Sequence, residues 1–189
     1  MDKTTLVKRR LKNFAKANKV LVNENVTKMF ESIAESGSIA RKDLFNNLEV
    51  SESTFSGYLS SLESVNLVVL NKKGRCRYLR ISPYGRKLSD TIGLPISPRV
   101  PRVTSDINRI LMLKTVSKED KGSTFTDVYY NLNRMLEKYR LSEITSALLS
   151  YHLRILKEET QITPESPYRL TSEGKLTLHA IEDIVGYQI

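Results

Sequence analysis

Apolar positions along this chain change period in a fixed order, and the order runs twice. Val22, Val26, Met29, Phe30 and Ile33 recur at three- and four-residue spacing, which predicts a helix over residues 22–36 ended by Gly37. Leu44, Phe45 and Leu48 place a second helix over residues 40–48, with Ser38 positioned to cap it, and Phe55, Leu59, Leu62 and Val65 place a third over residues 52–65 with Ser51 as its cap. The period then drops to two. Leu67-Val68-Val69-Leu70 is an apolar, β-branched run, Asn71-Lys72-Lys73-Gly74 reads as a hairpin turn, and Cys76 to Ile81 alternates as the returning strand. Ser82-Pro83, a cap followed by a proline at the first helical position, opens a closing helix through about residue 92.

The second pass starts near Ser105 with Ile107, Ile110 and Leu111. It continues with a helix over about 125–138 (Val128, Leu132, Met135, Leu136) and a third from about Ser142 to Glu159. Pro164 and Pro167 interrupt a shorter hairpin whose return strand is Tyr168-Arg169-Leu170. Thr171 or Ser172 caps a last helix with Leu178, Ile181, Ile184 and Val185 on one side. The repetition is also literal. Ser56-Gly57-Tyr58-Leu59-Ser60-Ser61-Leu62-Glu63 aligns with Ser150-Tyr151-His152-Leu153-Arg154-Ile155-Leu156-Lys157, and Ile81-Ser82-x-x-Gly85 with Leu170-Thr171-x-x-Gly174. Self-similarity at so long a period means one supersecondary unit used twice. The expected class is mainly α with small β-hairpins, an α+β fold. Its expected parts are an N-terminal helix over residues 1–21, a first domain over 22–93, a linker over 94–103 and a second domain over 104–189. Three prolines between Leu94 and Pro101 read as a stiff, extended connector.

Charge separates the two halves. The chain carries a net charge of +9, yet residues 1–103 hold 19 Lys/Arg against 9 Asp/Glu and residues 104–189 hold 11 against 12. A polyanion gains from the first half and almost nothing from the second. Residues 3–20 contain seven basic residues, with Val7, Leu11, Phe14 and Ala15 at helical spacing. Three readings fit: a solvated helix packing one stripe on its domain, an arm laying Lys8, Arg9 and Arg10 on DNA phosphates, or an extra dimer helix. For a membrane-surface helix the stripe is short and lacks Trp. No apolar run approaches the ~18 residues of a membrane span, and the first residues do not lead into a secretory signal. Cys76 stands alone, which fits a reducing cytoplasm.

Catalytic, metal and cofactor chemistry find no support in the sequence: there is no Gly-rich phosphate loop, no zinc spacing and no nucleophile motif. A Cys–His pair would need Cys76 with His152 or His179. Cys76, however, reads as a packing thiol on a strand, His152 fills the slot held by Tyr58 in the first copy, and His179 is a lone helix position. Double-stranded DNA is the expected partner. The third helix of the first copy exposes Ser53, Thr54, Ser56, Gly57 and Ser60, short enough for a helix to approach a groove floor. With no Arg, Asn or Gln among them, a plain polar face is the competing reading. The hairpin region supplies Lys72, Lys73, Arg75, Arg77 and Arg80, then Arg86 and Lys87, without an acid. Arg41 and Lys42 begin the second helix, where such a helix crosses the DNA backbone. In the second copy Ser146, Ser150, Tyr151 and Arg154 form the corresponding face, followed by Glu158-Glu159, which repel phosphate. That copy is expected to be a second DNA reader or a module for a protein partner or for self-association, with the Leu178–Val185 stripe and the N-terminal helix as the dimer surfaces.

The string Ser150-Tyr151-His152-Leu153-Arg154-Ile155-Leu156-Lys157-Glu158 resembles the recognition helix of ArsR-type winged-helix regulators. Arg77-Tyr78-Leu79-Arg80-Ile81-Ser82-x-x-Gly85 and Tyr168-Arg169-Leu170-Thr171-x-x-Gly174 are similar to the wing end of MarR- and PadR-type regulators. The resemblance implies tandem winged helix-turn-helix domains and a cytoplasmic, nucleoid-associated transcription regulator, commonly a homodimer on a pseudopalindromic site. The ArsR metal-site cysteines are absent, so metal sensing does not carry over. Two alternatives use the same fold: a tandem winged-helix scaffold in chromosome or plasmid segregation, and a plasmid replication initiator.

Overall fold

The computed structural model describes residues 2–74, 76–119 and 121–186, with Lys73 described by its backbone alone. The chain is mainly helical with one small antiparallel sheet, an α+β arrangement. It forms two compact units, one of residues 16–105 and one that joins residues 1–15 to residues 106–189. The boundaries differ from those the proline cluster suggested. The first helix, α1 (Lys3–Leu21), runs through the division, and the expected linker contains a short helix, α6 (Arg99–Thr104), whose Pro101, Val103 and Thr104 are buried. Pro101 lies in the opening turn of α6, where a missing N–H leaves no helical bond unmade. Upstream, the backbone N–H of Ile96 donates to Glu31 at 2.6 Å, so this segment is held against its own unit.

The unit of residues 16–105 is built on α2 (Glu24–Ser36), β1 (Ser38–Ala40), α3 (Arg41–Asn46), α4 (Glu52–Ser64), β2 (Val68–Lys73), β3 (Cys76–Ile81) and α5 (Pro83–Ile92). The sheet order is β1-β3-β2, with β3 paired antiparallel to both neighbours. Phe30, Ile33, Leu44, Phe55, Leu62, Leu67, Leu79 and Leu88 close its core, each at 0% exposure. Two expectations change here. Ser38 does not cap α3: it pairs with Arg80 in β1, and α3 starts after Ala40 without a side-chain cap. Asn71, Lys72 and Lys73 are strand residues, because the ladder continues through Asn71↔Tyr78 and Lys72↔Arg77 to Lys73↔Cys76. Gly74 then turns the chain at φ +61°. Cys76, expected to pack, is exposed.

The other unit repeats the order with α7 (Ile107–Ser117), α8 (Phe125–Lys138), α9 (Ser146–Glu158) and α10 (Ser172–Val185). α7 is buried nearly all round and packs on α8, α9 and α10. Its sheet has shrunk to two single bridges, Ser123↔Tyr168 and Ile162↔Leu170, which match Ile39↔Leu79 and Val68↔Ile81 of the first copy. The expected return strand Tyr168–Leu170 therefore does not form. Pro164 and Pro167 have no N–H to extend a ladder on either side of the turn. α9 starts four residues later than the hydrophobic pattern suggested. Asn133 holds Ile144 by both amide groups, at 2.8 and 3.4 Å, and Thr145 then caps the helix through the N–H of Leu148. The apolar stripe of α10 is covered, with Ile181 and Val185 at 0% exposure and Leu178 and Ile184 at 7%, so it offers no free face to a second copy.

The repeated letters have one structural cause. α4 and α9 both end on a left-handed residue, Asn66 at φ 56° and Thr160 at φ 55°, and the next N–H reaches back to Leu62 O at 3.0 Å or Leu156 O at 2.8 Å. Ser82 and Thr171 then receive the N–H of Gly85 and Gly174 at 2.8 and 3.0 Å, and their own hydroxyls donate to Asn66 O and Thr160 O. The glycine sits against the backbone. A Cβ at Gly85 would lie 2.2 Å from Leu67 O, and one at Gly174 would lie 2.0 Å from Gln161 O.

Gly85→Ala and Gly174→Ala are each expected to destabilise the chain by at least the ~1–3 kcal/mol typical of overpacking, because the obstacle is a carbonyl and not a flexible side chain. Gly57→Ala meets nothing within 4 Å and should be neutral or stabilising by up to ~1 kcal/mol. Chemical denaturation of the three variants beside the unmodified chain checks the contrast; equal stability of all three would refute the close contact.

Candidate nucleic-acid interface

In the unit of residues 16–105, α4 turns Phe55, Leu59 and Leu62 inward and leaves Ser53, Ser56, Gly57 and Ser60 exposed, with Thr54 half-buried. Ser51 caps the helix through the N–H of Thr54 at 3.2 Å, and its hydroxyl also meets those of Ser53 and Thr54. The would-be Cβ of Gly57 points into open space. This face is short, polar and uncovered. One end of it is already occupied. Arg41, at the start of α3, lies over the Phe55 ring at 5.0 Å and donates to Glu52 Oε1 at 2.6 Å and Ser56 Oγ at 3.0 Å. Arg41, expected on phosphate, is half-buried and paired with Glu52 in the free chain, while Lys42 is exposed. Nothing in the spacing of Arg41 and Glu52, eleven residues apart on different helices, signals the pair.

The hairpin carries its charge differently. Lys72 and Arg77 are exposed and directly opposite each other in the β2–β3 ladder, a like-charge pairing that costs stability. Neither makes an ion pair with a described residue. Arg75 and the side chain of Lys73, also expected on this surface, lie outside the described residues.

Lys8, Arg9 and Arg10 belong to the other unit. Lys8 Nζ donates to Arg140 O just beyond the end of α8, and Arg10 donates to Val185 O at the end of α10, both at 2.7 Å. Cations at helix C-termini complement the exposed carbonyls there. Arg9 is exposed. Counted by compact unit, residues 16–105 hold 14 Lys/Arg against 8 Asp/Glu and the remainder holds 16 against 13, so the sequence asymmetry softens to +6 and +3.

On α9, Ser146, Ser150, Tyr151 and Arg154 are all exposed on one helix, as the repeat predicts. Ser150 Oγ donates to Ser146 O, and Arg154 lies 5.7 Å from the Tyr151 ring centroid and 3.9 Å from Glu158. Leu148 beside them is 41% exposed, an apolar element missing from α4.

The same unit buries a polar cluster that no motif announces. His152 is 2% exposed, its Nδ1 lies 3.3 Å from Arg109, itself buried, and its Nε2 lies 4.0 Å from Asp106. Burial holds the imidazole below its ordinary value of 6.5, Asp106 pulls it up and Arg109 pushes it down. His152 thus fills a buried slot where Tyr58, its counterpart in the first copy, is half-buried, and it brings a titratable ring. Among the described residues no group of three His, Cys, Asp or Glu side chains could hold a metal ion, and no helix is long and apolar enough to cross a membrane. No known protein family matches the sequence, and no match was found among curated proteins or solved structures.

The unfolded chain protonates His152 near pH 6.5, whereas the folded chain resists until lower pH, so the folded state loses ground as pH falls below that value. The urea midpoint is expected to drop between about pH 7.5 and about pH 5, and His152→Gln should reduce the drop. An identical pH dependence in both proteins would show that the imidazole is protonated alike folded and unfolded.

Proposed function

We propose that the chain binds double-stranded DNA, that its two units are tandem winged helix-turn-helix domains, and that it acts as a sequence-specific transcriptional regulator. On this reading α4 is the recognition helix, β2–β3 is the wing, and residues 16–105 form the principal DNA-binding domain. The observation that carries the reading is the uncovered Ser53–Ser56–Gly57–Ser60 face on a helix whose unit also presents Lys72 and Arg77 with no acidic partner among the described residues. Hydroxyls and a bare glycine allow a helix to approach bases and sugar–phosphate closely, and an unpaired cation pair at a hairpin end is relieved by phosphate. The Arg41–Glu52 pair fixes the edge of that face, and Glu52 disfavours phosphate there.

For the second unit a partner-binding role is the reading that Leu148 and Tyr151 favour. They place 41% and 48% exposed apolar side chains on α9, next to an Arg154 already engaged with Glu158. In that case the chain joins one DNA-reading domain to one protein-gripping domain, and the tandem scaffold of chromosome or plasmid segregation is the corresponding alternative for the whole.

Two variants test the DNA reading by fluorescence anisotropy on mixed-sequence duplex over a range of salt. Lys72→Ala with Arg77→Ala should lower the slope of log affinity against log salt by about 1.8, since each phosphate no longer neutralised removes about 0.9. Gly57→Glu should weaken duplex binding at every salt concentration with an unchanged melting temperature, since its side chain starts in open space and adds bulk and negative charge to the face. Full binding by Gly57→Glu would remove α4 from the interface.

A further inference from the structure

We propose that a shallow depression on the outer face of the sheet also holds backbone phosphates of the nucleic acid, giving residues 16–105 a second anion surface. The inference rests on the DNA reading above and gives a place to Arg80 and Arg86, which the sequence puts in the basic run but the proposed interface of α4 and hairpin end leaves out.

Side chains alternate along β3, so Arg77 shares a face with buried Leu79 while Arg80 stands on the opposite one. β3 is the central strand, and the register sets Arg80 between Ser38 of β1 and Val69 of β2. Arg86, in the opening turns of α5, reaches the same place. With Gly37, Val69, Asn71 and Pro83 the two arginines line an open depression of about 390 Å³. Room at its floor comes from Gly37, where a Cβ would meet nothing within 4 Å, and from Val69, 37% exposed.

The electrostatics are unfavourable without a ligand. Neither Arg80 nor Arg86 makes an ion pair with any described residue. Arg86 stands in the opening turns of a helix whose first turn contains no acid to offset it. Two guanidiniums therefore share one solvent-open depression, and an anion in it relieves both. Guanidinium forks match phosphate oxygens in pairs, and the Asn71 side chain adds a neutral donor. A linear polyanion fits better than a free ion. The depression is open along its length, so a strand's phosphates can pass through it, while Lys72 and Arg77 on the other face of the same strands remain a separate contact.

The test is Arg80→Gln with Arg86→Gln in the full chain, measured on mixed-sequence duplex across a salt range beside the Lys72→Ala, Arg77→Ala protein. The inference expects the salt slope to fall by about 1.8. It also expects a melting temperature at low salt no lower than that of the unmodified chain, because repulsion has been removed. An unchanged slope, with the Lys72→Ala, Arg77→Ala protein still impaired, overturns the second surface and leaves the DNA reading standing. Failure of the unmodified chain to bind duplex overturns both. A lowered melting temperature would mean that the arginines brace the sheet. Saturable calorimetric binding of inorganic phosphate at micromolar concentration would assign the depression to a free anion. Either of these last two results also overturns the proposal.

Discussion

In both units the closing helix starts hard against the carbonyl that follows the preceding long helix, and this contact exists because Gly85 and Gly174 have no Cβ. Much else is geometrically downstream of it. The left-handed turn at Asn66 or Thr160 ends one helix, and the hydroxyl of Ser82 or Thr171 ties that turn to the first N–H groups of the next. Between those two fixed points the chain leaves and returns within a few ångströms, and in both copies the two legs of this excursion run antiparallel. In the first copy the excursion is a full hairpin with basic residues at its end. In the second it is a proline-bearing loop closed by two bridges. One junction thus tolerates two very different excursions.

The basic side chains sort by whether the protein itself satisfies them. Lys8, Arg10 and Lys114 are spent on carbonyls or on Glu182, and Arg41 on Glu52. These charges stabilise the fold and attract little from outside. Lys72 and Arg77 face each other across a ladder, and Arg80 and Arg86 share a depression, with no ion-paired acid among the described residues. Arrangements that cost the free protein energy are the ones an external anion improves most. For this reason the DNA reading rests on the sheet and α4, and less on the N-terminal helix, whose seven basic residues dominate the sequence.

Much of the fold was legible because period and capping residues are local properties. α8 lies where Val128, Leu132, Met135 and Leu136 put it, and Ser51 and Ser82 cap the helices their positions suggested. Features decided by distant partners were not legible. Ser38 joined β1 because Arg80 was available to pair with it, and Asn133 held Ile144 out of α9. The separation of residues 1–15 from 16–105 depends on which core buries Val7, Leu11 and Phe14, a choice that no local spacing encodes. Of the candidate site, the exposed serines of α4 followed from periodicity, whereas the loss of Arg41 to Glu52 and the burial of His152 beside Arg109 required three dimensions.

The most direct measurement is selection of bound duplexes from a random-sequence pool, carried out with the unmodified chain and with Gly57→Glu in parallel. The account predicts that the unmodified chain enriches one motif and that the variant enriches none. Enrichment of the same motif by both proteins, or tight binding by the unmodified chain with no enriched motif, would contradict a recognition role for α4.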